Sequence, residues 1–152
     1  MSKPLAYEKI KVRADRIELL VRVCDEKFRL TNADLIAVCE KDFPLLSSHA
    51  CYNEKGTTFG AVMNSTSVPH LLEHLIVYLE VLALNSSCEQ AHDKEGQWGA
   101  LDKVITGSTQ WSADDNCLAL VSVSFFDDIV ALSACNQALE YLNEALCALS
   151  EY

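Results

Sequence analysis

Pro69-His70-Leu71-Leu72-Glu73-His74-Leu75-Ile76-Val77-Tyr78-Leu79-Glu80-Val81-Leu82 is the stretch from which the reading of this chain starts. Leu71, Leu72, Leu75, Ile76, Leu79 and Leu82 cover most of the circumference of a helix, which predicts a buried one. Pro69 suits a first turn, and Ser67 or Thr66 can cap it, so the helix is expected from about Ser67 to Leu84. Three polar residues interrupt the apolar surface in the pattern H-x-x-E-H, the inverted zinc-hydrolase motif. Residues i and i+4 share a helical face and i+3 lies beside them. Both imidazoles can therefore reach one ion, and the Glu73 carboxylate can reach a water held there. The bland alternative is a pair of hydrogen-bonded core histidines with Glu73 pairing one of them.

Outward from this helix the chain alternates between strand and helix signals. In Arg16 to Cys24, Ile17, Leu19, Val21 and Val23 point one way and Arg16, Glu18 and Arg22 the other, the pattern of a half-buried strand. Thr31 is expected to cap a helix, with Asp34 as its capping-box partner, Leu35, Val38 and Cys39 as its apolar face and Pro44 at its end. Ser47 to Thr58 reads as a loop, and Phe59 to Met63 fits helix and strand equally. Asn85 to Gly99 is a polar excursion, Leu101 to Ile105 is expected as a strand, and Ser112 to Asn116 as a turn. Leu118 to Phe126 is a second clear strand, and Asp127 or Asp128 caps a last helix. On that helix Leu132, Cys135, Leu139, Leu142, Leu146 and Leu149 form an apolar stripe, best read as a helix laid on a sheet; a helix pair across a homodimer axis is the alternative. The expected class is α+β: one domain over residues 1–152, a mostly antiparallel sheet with the motif helix and the C-terminal helix packed on one face.

Composition narrows the function. Half of the 152 residues are hydrophobic and 22% are charged, a globular and not a disordered balance. A net charge of −10 argues against nucleic acid and against an anionic membrane surface; it permits a cationic or arginine-bearing substrate, although acidity by itself usually serves solubility. Seven cysteines without a C-x-x-C pair, no apolar leader at Met1 to Tyr7 and no apolar run of the ~18 residues a membrane span needs lead to the expectation of a cytoplasmic protein with mostly reduced thiols. No G-x-S-x-G elbow and no glycine-rich phosphate loop is present.

A hydrolytic zinc site ordinarily has three protein ligands. With His70 and His74 as two, His49 is the first choice for the third and Cys51 the second, since a thiolate suits zinc or iron. Glu80, His92, Asp127 and Asp128 are further candidates: Glu80 is out of phase with His74, His92 lies in the polar excursion, and the aspartates are explained as caps. Glu73 is the candidate general base, with orientation of an imidazole as its lesser role.

Phe43-Pro44-Leu45-Leu46-Ser47-Ser48-His49-Ala50-Cys51, followed by Pro69 to Leu75, resembles the N-terminal domain of cyanophycin synthetase, which has a similar Leu-Pro-Gly-Leu…His…Cys stretch ahead of an H-x-x-E-H helix. Leu118 to Phe126 and Ala131 to Leu146 resemble its late strand and the helix after it, so the likeness covers roughly residues 30 to 148. It implies binding, and in some members hydrolysis, of an Asp-Arg polymer, with His70, His74 and His49 on zinc and Glu73 as base. The family's ligase domains have no counterpart here, which implies a free-standing relative or an excised domain. Its arginine-containing turn is replaced around Thr109-Gln110-Trp111. A lesser resemblance is to S-ribosylhomocysteine lyases, where a cysteine completes an iron site; Cys117 would take that part. The expectation is a metal-dependent hydrolase of peptide-like bonds, with a non-catalytic binding or assembly module of the same fold as its alternative.

Overall fold

The computed structural model describes residues 2–90 and 105–152. Four antiparallel strands, β1 (Leu5–Val12), β2 (Arg16–Val23), β5 (Gly107–Trp111) and β6 (Leu118–Ser124), form one sheet in the order β1-β2-β6-β5. A small hairpin, β3 (Ala50–Asn53) and β4 (Gly56–Thr58), stands apart from it. Among the described residues, helices α1 (Ala33–Asp42), α2 (Val68–Gln90) and α3 (Asp128–Ser150) join these strands in an α+β fold, with α2 and α3 packed on each other and on the sheet.

The alternation in β2 and β6 orients the sheet. Ile17, Leu19, Val21 and Val23 are buried, as are Ala119, Val121 and Val123 opposite them, and this face receives the helices. The other face is mixed: Leu20 and Leu120 lie beside Lys9, Lys11 and Glu18, and Arg22 bridges Glu8 and Asp115. Leu71, Leu72, Leu75 and Ile76 of α2 are fully buried, each worth about 1.5–3 kcal/mol as an upper bound. Residues 68–86 of α2 do reach the length and hydropathy of a membrane span, contrary to the expectation from sequence, but half of that stretch is buried inside the fold.

Several boundaries differ from expectation. Asn32, not Thr31, caps α1 by accepting from the Leu35 amide, because the buried Thr31 hydroxyl is bonded to the Met63 carbonyl across the fold. The loop read at Ser47 to Thr58 contains the β3–β4 hairpin, closed by Asn53, whose side chain bonds the Cys51 and Thr58 carbonyls and the Lys55 amide. Phe59 to Met63 forms 3₁₀ turns, and α2 runs on to Gln90. Of the strand expected at Leu101 to Ile105, only Ile105 is described, and it precedes β5. The expected Asp127 cap holds, accepting from the amides of Ile129 and Val130.

Two polar side chains bear on stability. Asn143 of α3, 6% exposed, accepts from the Leu5 amide at 2.8 Å and donates to the Leu5 carbonyl at 3.0 Å, so it ties β1 to the helix layer. Glu80 of α2 is 1% exposed, and one of its oxygens has no partner among the described residues. Burial pushes its carboxyl from 4.5 up to about 8, so the folded state holds it protonated. Asn143→Ala strands both Leu5 groups and should cost roughly 2–4 kcal/mol in urea denaturation. For Glu80 the folded state binds the extra proton, so its favourable contribution is complete below about pH 4.5 and declines as pH rises towards 8. Urea midpoints compared at pH 5 and pH 8 should therefore fall less in Glu80→Gln than in the parent chain.

Candidate metal centre

The N-terminal half of α2 carries the motif into a cleft of about 1440 Å³, roofed by the 3₁₀ turn and hairpin that precede it and walled by β5. His70, Glu73 and His74 all line it. His49 and Cys51 reach it from the opposite side, delivered by a turn that begins at Leu45 in the left-handed conformation (φ 72°) and is fixed by the Phe59 amide on the His49 carbonyl.

Donor atoms of Cys51, His70 and His74 lie within 4.8 Å of one another and could hold a metal ion. Bonds of about 2.3 Å to sulfur and about 2.0–2.1 Å to nitrogen, at tetrahedral angles, set ligand atoms about 3.5 Å apart for S···N. The Cys51 Sγ to His70 Nε2 distance is 3.5 Å. The other nitrogen of His70 faces the Thr66 hydroxyl at 2.8 Å, and an Nδ1–H donated there leaves the Nε2 lone pair for an ion. His74 repeats the arrangement. Its Nδ1 stands 3.4 Å from His49 Nδ1, while its Nε2 is buried without a partner among the described residues. A buried, unpaired imidazole nitrogen is costly unless something satisfies it. An ion in the trio would do so, and the residues present therefore fit one.

His49 and Cys51 thus differ in part from the order expected. Cys51 joins the two motif histidines, whereas His49 touches one of them and packs against Tyr78 at 5.6 Å. Phe59, fully buried, stacks on His74 at 4.0 Å and meets His70 edge-on at 5.1 Å, fixing both ring planes. Burial, reinforced by the neighbouring His70 and His49, lowers His74 to about 3, and burial lowers His70 too. Both rings are neutral, the form in which imidazole binds metal.

Glu73 sits beside the trio on the same cleft wall, 5% exposed. Its carboxylate accepts from the Thr109 hydroxyl at 2.5 Å and not from a motif histidine. Burial raises its carboxyl to about 7, against the opposing pull of the Thr109 hydrogen bond. Gly107 makes the room: a Cβ there would lie 2.5 Å from Glu73 Oε1, closer than any real contact. Thr109 and Gly107 were not singled out as site residues from sequence, because their part depends on strand pairing that brings β5 over α2.

The remaining candidates lie elsewhere. Glu80 is buried outside the donor group, Asp127 caps α3, Asp128 starts it, and His92 falls outside the described residues. Cys117 stands at the turn into β6, its amide on the Asp115 side chain, and does not join the donor group. The described cysteines are free thiols, and Cys39 and Cys135 are packing residues as expected.

No protein-family profile, no curated protein and no solved structure matches this chain. The donor set makes its own forecast. Protein prepared without chelator should bind one zinc per chain by calorimetry, and Cys51→Ala, His70→Ala and His74→Ala should each weaken it by more than about tenfold, with His49→Ala milder.

Proposed function

We propose that the chain is a metal-dependent hydrolase of peptide or amide bonds, with zinc on Cys51, His70 and His74. The observation that carries this reading is the convergence of two imidazoles and a carboxyl group on one buried helix with the Cys51 sulfur opposite, all opening on a cleft. Such an ion would polarise a carbonyl and lower the pKa of a bound water towards about 7. The chain's own residues do the rest. Thr66 and His49 hold the imidazoles in one tautomer, Phe59 holds their planes, and Thr109 with Gly107 holds Glu73 where it can take a proton from the attacking water and pass it to the leaving amine.

The likeness to the cyanophycin synthetase N-terminal domain supports the same chemistry. The left-handed Leu45 falls where the family's Leu-Pro-Gly-Leu stretch has glycine, the residue that adopts this conformation without strain. For an arginine-bearing polymer the support is thinner: among the described residues Glu73 is the one carboxylate lining the cleft. A second reading, an iron lyase of the S-ribosylhomocysteine type, draws on one observation, the cysteine sulfur in the donor set, with Cys51 in place of Cys117.

Glu73→Gln separates catalysis from binding. The variant should keep its zinc and lose roughly 10²–10⁴-fold in hydrolysis of a fluorogenic peptide pool that the parent cleaves. Unchanged turnover would remove Glu73 from the mechanism, and a zinc-loaded parent inert towards every peptide would leave a binding module.

A further inference from the structure

The two edges of the sheet are treated differently. The outer edge of β1 carries Glu8, Lys9 and Lys11, and its register is broken between Tyr7 and Lys9, devices that discourage another strand from pairing there. The sequence of β5, Gly107-Ser108-Thr109-Gln110-Trp111, holds no charge and no proline. Its pairing with β6 fixes where its main-chain groups point. The Ser112 amide bonds the Leu118 carbonyl and the Ser124 amide bonds the Thr106 carbonyl, so even-numbered residues face β6. The N–H and C=O groups of Gly107, Thr109 and Trp111 consequently point away from the sheet, and these three residues also line the cleft. Among the described residues no strand pairs with this edge, which runs along the wall that also carries Thr109's bond to Glu73.

We propose that β5 is a docking rail for an extended peptide, which adds to the sheet as a further strand and lies in the cleft beside Cys51, His70 and His74. This names the substrate class of the hydrolase reading and rests on it: a polypeptide in extended conformation, held through its backbone and not through charged side chains. The cleft agrees, since its described lining residues include no lysine, arginine or aspartate and a single glutamate, Glu73. Main-chain pairing gives affinity with little regard to side chains, while pockets along the cleft choose among them.

The test is amide hydrogen exchange, residue by residue, on the full chain with a pool of capped, uncharged pentapeptides at millimolar concentration, with and without zinc. The expected result is an alternating pattern: exchange slows at least tenfold at Gly107, Thr109 and Trp111 and stays unchanged at Ser108 and Gln110, which β6 already protects. A pool N-methylated at alternate amides should lose the effect. No slowing, slowing without alternation, or equal slowing by the methylated pool would overturn the proposal. The two readings fail separately: the alternating pattern in a protein that takes up no zinc leaves the rail and removes the hydrolase, and zinc-dependent cleavage without the pattern does the reverse.

Discussion

Polar side chains on a helix that the fold buries have to be satisfied, and the structure is organised around that constraint at α2. Leu71, Leu72, Leu75 and Ile76 draw the helix into the core, and they take Glu73 and His74 with them. Everything near the motif then serves those side chains. Thr66 meets His70, His49 meets His74, Thr109 meets Glu73, and Gly107 gives up a side chain to make space. One atom of the motif histidines, His74 Nε2, is left without a partner among the described residues, and it belongs to the trio that could hold a cation. An ion is the economical solution to a deficit that the packing itself creates.

The elements that bring partners to the motif come from distant parts of the chain. The turn from Leu45 carries His49 and Cys51 in from one side, closed by the Asn53 side chain and the buried Phe59. The strand β5 brings Thr109 and Gly107 from the other, and it is held there by β6, which β2 holds in turn. Trp111, at the end of that strand, packs under the Arg29 guanidinium at 4.8 Å, which is itself bonded to the Asn116 carbonyl, so the far end of the cleft wall is tied to the loop ahead of α1. A site of this kind depends on the whole sheet being in register.

How much of this was legible depended on whether the signal was local. The motif helix, β2 and β6 declare themselves through apolar periodicity, and Asp127 through its place before a periodic run. The α+β class follows from those elements. β1 was not read, since it is an edge strand with a bulge and its outer residues are polar, so alternation breaks midway. β5 was not read either, because Gly-Ser-Thr-Gln-Trp has no apolar alternation and becomes a strand through its pairing with β6. The cap of α1 moved by one residue for a tertiary reason: the Thr31 hydroxyl is taken by Met63. At the site, His70, Glu73 and His74 could be found from spacing alone. The choice between His49 and Cys51 could not, because His49 ends a 3₁₀ turn and Cys51 stands in β3, so which of them meets both motif histidines depends on how that turn and hairpin dock on α2.

Cys51 Sγ and the two motif imidazoles should bind one ion together. Replacing the metal with cobalt(II) and recording the visible and near-ultraviolet spectrum tests it most directly. Intense tetrahedral ligand-field bands are expected, with a sulfur-to-cobalt charge-transfer band that disappears in Cys51→Ser. Weak octahedral bands without a thiolate transition, or a spectrum that Cys51→Ser leaves unchanged, would contradict it.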